Sequence, residues 1–416
     1  MKSEVGAPSL FALGVNGIVG VGIFFTPSAI GALVPGSGGA LVYLATAGLL
    51  LPVALTLSVL GRALPLDGGP YVWARSAFGE RTALAVGWVA AVSALLSLAA
   101  VIAGLRDHLA PSLGFADESS RAGFAAVLTL ALALVAGLGL RPSAWTWDVL
   151  TLLKLVPLVL LVAALARSSA PPPSPALPAP SGAFGRALLV AVFPLQGFEI
   201  VPVLAGSARR ARLSVPIATL GSLVFAAALY AAIQLVCVRT LPDLATQEAP
   251  LVAAAGVVGG NELARLVAFG TNLSALGIAF GMMVMTPRYL AALGTDAGFG
   301  GWLGQSDGNG VSRAALGLSA ALVCVLVAFE ALGSLFALSS AAVLLQYLAA
   351  ELSLVRLAWK REHGLGPAFA LPAVFGLGAV GLLAFNVESR ELPVLGAALG
   401  LGLGLFAWQR RARRSR

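Results

Sequence analysis

Residues 10–28 read LFALGVNGIVGVGIFFTPS, an apolar run interrupted by Gly14, Gly17, Gly20, Gly22 and Pro27. Glycine and proline weaken helices. Where an apolar segment gives up helical bonds, its backbone N–H and C=O groups must find partners in the protein or in a ligand. A half-helix beginning near Ile23 would aim free N–H groups and its positive dipole end at Ile18–Gly22, a setting suited to a carboxylate. A second run, ALLVAVFPLQGFEIVPVLAG, is interrupted by Pro194, Gly197 and Pro202. An opposing half-helix end there leaves carbonyls suited to an ammonium. Close helix packing is the competing account of Gly14, Gly17 and Gly20, which recur at every third position.

Ionisable and aromatic groups sit beside these interruptions. Glu199, at membrane depth, costs on the order of 3 kcal/mol unless partnered. It is either a proton-sensitive group linking binding to movement of its span, or a structural carboxylate accepting bonds from N–H groups of the broken helix. Phe193, four positions before Gly197, is either a lid over the break or an ordinary packing aromatic, and Gln196 is placed to touch the variable part of a ligand. Lys154, in TLLKLVPLVLLV, is the only lysine inside an apolar run. It either snorkels to the nearer interface or is held at depth by partners.

The elements that carry these residues are membrane helices. Of the 416 residues, 59% are hydrophobic and 11% charged, against about 45 to 50% apolar in a soluble domain. The runs are continuously apolar rather than alternating, which excludes a barrel, and at about 20 residues each they are long enough to span hydrocarbon. Twelve spans are expected, at 8–33, 39–61, 82–105, 122–140, 146–166, 186–206, 214–237, 261–286, 313–329, 332–354, 368–386 and 392–409. An even number puts both termini on one side. With the termini and alternate loops inside, 18 of the 26 Lys and Arg fall inside and seven outside, so the excess of positive charge makes both ends cytoplasmic.

The net charge of +8 lies largely in the tail RRARRSR and the inner loops. Topology and anionic membrane lipid account for it, so no nucleic-acid partner is expected. Cys237 and Cys324 lie in apolar runs and read as small buried hydrophobes, with no disulfide framework. The first apolar run is too long for a cleaved signal and lacks its basic flank. The proline-rich PPPSPALPAP at 171–180 is an extended connector outside the membrane. It separates the fifth span from the sixth, so the two interrupted spans occupy matching positions in two five-helix halves. That pattern points to inverted repeats with a site near the bilayer midplane.

Four stretches, in order along the chain, carry a resemblance. They are Gly20-Val21-Gly22-Ile23-Phe24, PLDGGPYVW with Pro65, Gly68, Gly69 and Tyr71, FPLQGFE running on into AGSARRARLSVPIAT, and TPRYLAALGTDAGF. They resemble the amino acid-polyamine-organocation (APC) family of permeases. Two departures stand out: Val21 replaces a serine common between the two glycines, and Arg210-Ala211 replaces a frequent Asn-Pro.

The resemblance implies an all-α integral membrane protein with 12 transmembrane helices. The fold would be of the 5+5 inverted-repeat leucine-transporter type, with helices 1 and 6 broken and two additional C-terminal helices. The first repeat would be 1–170, the extracytoplasmic linker 171–185, the second repeat 186–355, and the last two helices and basic tail 356–416. It implies a permease of the cell membrane that moves an amino acid or amine, with Ile18, Gly20, Val21, Gly22, Phe193, Gln196 and Gly197 binding substrate. Lys154, Glu199, Thr271, Asn272 and Ser274 would serve coupling and gating. Some proton-coupled members carry a lysine in the fifth span where sodium-coupled relatives of the fold bind a cation. Lys154 could then bridge carbonyls of the first break and the polar cluster at Thr271, Asn272 and Ser274, which favours protons or exchange over sodium. No metal and no cofactor are implied, and the chain would act as a monomer or homodimer.

Two other classes stay open. A non-transporting amino-acid sensor would keep the same site, although no signalling domain is appended. A membrane enzyme would need catalytic groups gathered at one depth, whereas His108 and His363 fall in loops on opposite sides and no metal-ligand spacing is present.

Overall fold

The computed structural model describes residues 6–400 except 67–68, 116, 139–143, 168–180, 204, 206–207, 297–299, 308–310, 330–331, 390, 394 and 398, together with Gly404. Gly68, the connector at 171–180, most of the twelfth expected span and the basic tail lie outside the described residues.

The regular elements are helices. The first apolar run forms two, α1 (Ala7–Ile18) and α2 (Val21–Leu33), bent by 46° at Val19 and Gly20. There follow α3 (Gly38–Ala63), α4 (Pro70–Phe78), α5 (Glu80–Ser112), α6 (Glu118–Gly137) and α7 (Ala144–Arg167). The sixth run is again in two pieces, α8 (Ala183–Leu195) and α9 (Ile200–Val203), joined by a turn at 196–199. The chain continues as α10 (Ala211–Thr240), α11 (Pro250–Asp296), α12 (Gly300–Gly304), α13 (Arg313–Phe329), α14 (Leu332–Trp359) and α15 (Leu371–Ala384). α11 comprises two helices joined across a kink at Gly260, whose φ of 70° only glycine adopts freely, and the second begins where the span at 261–286 is expected. Seven described helices are long and apolar enough to cross a bilayer, and the bent pair makes an eighth.

The outward faces are those of a membrane protein. On α6, Val127, Leu130 and Leu134 are exposed, Leu134 by 74%, while Ala125, Thr129, Ala133 and Ala136 face inward. Large apolar groups outside and small ones inside suit a helix solvated by lipid and packed through small residues. Buried hydroxyls bond back to their own helix: Thr129 to Ala125 O and Thr219 to Val215 O, at 2.7 and 2.8 Å. No polar group of these side chains is then left bare in hydrocarbon.

The chain forms two compact units, each assembled from distant segments. The first comprises Met1–Gly69, Pro142–Gly277 and Ala350–Asn386, and the second Pro70–Arg141, Ile278–Ala349 and Val387–Arg416. In the first unit, Leu10 of α1, Val201 of α9 and Val215 and Ala218 of α10 form one buried cluster. In the second, Ala91 packs with Leu290, Leu293, Leu303 and Ala315. Ser97 and Ser339 share a 2.6 Å hydrogen bond there, and Arg106 donates to Val327 O at 2.7 Å while pairing with Asp107. Asp117 caps α6, accepting from Ser120 N–H at 2.8 Å. That bond holds the exposed carboxyl below its ordinary value.

Candidate functional site

The two interrupted runs meet inside the first unit, main chain to main chain. A Cβ placed on Gly17 would lie 2.8 Å from the Gly197 carbonyl oxygen, and one on Gly197 would overlap the Gly17 carbonyl. Gly197 has φ 114°, a conformation that glycine alone adopts without strain. One turn further along, a Cβ on Gly22 would lie 2.6 Å from Pro194 Cβ, so α2 seats directly on the end of α8. Gly14 meets Ser222 of α10 in the same way. Close packing therefore accounts for Gly14, Gly17 and Gly22, and Gly20 supplies the extended residue before α2 (φ −144°, ψ −154°).

At the first break, α2 starts at Val21, two residues before the expected Ile23, and its first N–H groups have no preceding helical carbonyl to bond. Ile18, Gly20, Val21 and Gly22 are all buried. The carbonyls at the end of α1 are already engaged. Lys154 Nζ donates to Asn16 O at 2.7 Å, and Tyr230 Oη donates to Ile18 O at 2.8 Å. A cation at a helix C-terminus also meets the negative end of the dipole. Lys154 is 2% exposed and bonded inside the protein, so it does not snorkel.

At the second break, Gln196 N–H donates to Val192 O at 3.0 Å and to Phe193 O at 3.3 Å, and Gly197 O accepts from Ile200 N–H. These carbonyls are less open than a bare helix end. Glu199, half-buried, accepts from Gly197 N–H at 2.8 Å, the structural bond expected of a carboxylate at a broken helix. Phe193 is buried on α8. The Gln196 Nε2 is buried without a hydrogen-bond partner, so it retains a donor for another molecule.

The eighth-span cluster lies on α11. Thr271 bonds back to Val267 O at 2.7 Å, while Asn272 Oδ1 and Ser274 Oγ are buried without partners. Lys154 and this cluster share no hydrogen bond among the described residues. Their helices do touch: a Cβ on Gly270 would lie 2.7 Å from Pro157 Cγ, within about one helical turn of both Lys154 and Ser274.

A second layer of polar groups went unread in the sequence. Thr26 bonds both Gly22 O and the Tyr43 hydroxyl at 2.8 Å, Tyr43 packs edge-on against Tyr230 at 5.7 Å, and Gln234 donates to Pro27 O at 3.3 Å. Pro27 interrupts the helical ladder, and these side chains bond backbone groups around it. Tyr230 and Gln234, four residues apart on one face of α10, were the available signal.

Paired interrupted helices, crossed backbone to backbone and secured by a buried lysine and hydroxyls, define a multi-pass membrane carrier. The chain belongs to the amino acid permease family, whose model matches residues 5–390. It is similar to the branched-chain amino acid permease BcaP of Bacillus subtilis, with 24% identity over 71% of this chain and 68% of that protein. The BcaP of Lactococcus lactis subsp. cremoris is 25% identical over 97% of this chain and 94% of its own. The serine/threonine exchanger SteT of B. subtilis is 26% identical over 70% and 68%. Family and relatives make the chain a transporter, not an enzyme, with amino acids as its class of substrate.

Proposed function

We propose that this protein is a secondary active transporter of the cell membrane that moves amino acids or related amines by alternating access. Twelve spans with both termini cytoplasmic, arranged as five-helix repeats at 1–170 and 186–355, best fit the hydropathy and the positive charge of alternate loops. The observation that carries the reading is the approach of Gly17 and Gly197. It fixes the two breaks against each other and leaves the start of α2 as the group of N–H donors for a substrate carboxylate. Val21 offers no hydroxyl, so the main chain at Gly20–Gly22 holds the carboxylate unaided. Phe193 closes over the ligand, and Gln196 reads its side chain.

Neutral amino acids are the favoured substrates. The lining is mostly apolar, Glu199 is engaged by Gly197 N–H, and the relatives above are named for branched-chain amino acids and for serine and threonine. Lys154 bonds Asn16 O beside the first break, which favours proton coupling or exchange over sodium. Uptake and counterflow of labelled amino acids in proteoliposomes, with and without pH and sodium gradients, test this. Saturable, sodium-independent flux of neutral amino acids is expected. Absence of flux for every amino acid and amine would reject transport and leave a sensor, and sodium-dependent flux would reject the role of Lys154.

A further inference from the structure

Glu351 is a second buried carboxylate, on α14 and outside both interrupted spans. Its residue is 0% exposed, and neither carboxyl oxygen has a hydrogen-bond partner. The backbone of α15 presses on it: a Cβ on Gly376 would overlap the carboxyl group itself. From α3 it is faced by the buried hydroxyl of Thr56, a neutral group that cannot balance a charge.

No cation balances this group among the described residues. α15 carries no titratable side chain. On α3, Tyr43 is bonded to Thr26, and the Arg62 guanidinium lies over the Phe369 ring at 5.3 Å. On α14, Tyr347 is a buried phenol, while Arg356 is exposed and five positions on, about 140° around the helix. An ionised carboxylate here would be a bare charge in apolar surroundings, whereas the neutral acid is not. A hard metal ion takes six or more oxygens, but two carboxyl oxygens and one hydroxyl make three. A proton needs one.

We infer that Glu351 is a proton-binding site of this transporter, holding a proton in this conformation and exchanging it with water when α3, α14 and α15 move apart. The inference rests on the proton-coupled form of the function proposed above. It adds a coupling group outside the two interrupted spans, with Thr56 as its partner hydroxyl.

Infrared difference spectra of the purified full-length protein, compared with Glu351→Gln, test the site without transport. At neutral pH the wild type should show a protonated-carboxyl band that the variant lacks. In proteoliposomes Glu351→Gln, a neutral mimic of the acid, should keep counterflow but lose at least tenfold of accumulation driven by a pH gradient. If the glutamine variant does not fold, Glu351→Asp should shift the band. A missing band, a band unmoved in Glu351→Asp, or wild-type accumulation in a folded Glu351→Gln protein would each overturn the proposal. Wild-type protein that shows no pH-driven accumulation would instead reject the proton-coupled reading on which it rests.

Discussion

The Lys154 ammonium donates to the main-chain carbonyl of Asn16 at 2.7 Å, joining residues 138 positions apart in sequence. It stabilises the last turn of α1, where the helix ends for want of Val19 and Gly20. Lys154→Ala should leave that carbonyl unsatisfied, at a cost of about 1 to 3 kcal/mol. In liposomes, pH-driven accumulation should fall at least tenfold while counterflow persists. Full accumulation by the variant would remove Lys154 from coupling.

Gly197 combines φ 114° with contact against Gly17. Gly197→Ala should therefore suffer both strain and overpacking, about 2 to 6 kcal/mol in sum, read as lost thermal stability in detergent. Gly48→Ala is the matched control, since a Cβ at Gly48 meets nothing within 4 Å and α3 should gain about 0.5 to 1 kcal/mol. Equal melting temperatures for the two variants would contradict the crossing.

Tyr230→Phe deletes the hydroxyl on Ile18 O and keeps the ring against Tyr43. A loss of about 1 to 3 kcal/mol is expected from the stranded carbonyl. Gln234→Leu, which frees Pro27 O, should destabilise in the same direction. If Tyr230→Phe unfolds at the wild-type denaturant midpoint, the bond has no weight in stability.

Asp117 gives a pH dependence whose sign is fixed. Its native carboxyl lies below the ordinary 3.8, because Ser120 N–H bonds the charged form. The cap is therefore complete above 3.8 and is lost as pH falls through the lower native value. Amide exchange at Ser120 should accelerate in that acid window in the wild type. In Asp117→Asn, which caps without ionising, the acceleration should be absent.

The breaks were legible because Gly20, Pro194 and Gly197 are residues whose backbone behaviour is written in their identity. What faced them was not. The two interruptions were expected to face one site, but that Gly17 and Gly197 are the residues that meet is placed only by the folded chain. Lys154 left two readings open until Asn16 supplied its partner. Tyr43, Tyr230 and Gln234 looked like ordinary members of apolar spans, since the backbone groups around the break that they satisfy belong to other helices. Glu351, near the end of the expected 332–354 span, was not singled out, since its burial depends on Gly376 of a different helix. The early start of α2 follows from a break confined to Val19 and Gly20, both extended, which spacing does not specify.

The interleaving of the two units bears on how the chain is made. The first unit lacks a segment until Ala350–Asn386 has been made, and the second until Val387–Arg416 has. Synthesis runs from the N-terminus, so α1 to α13 are produced while both units are still missing pieces. Completion of each unit therefore comes late in synthesis, after those helices have been made. A chain stopped before α15 would carry most of the helices and neither finished unit.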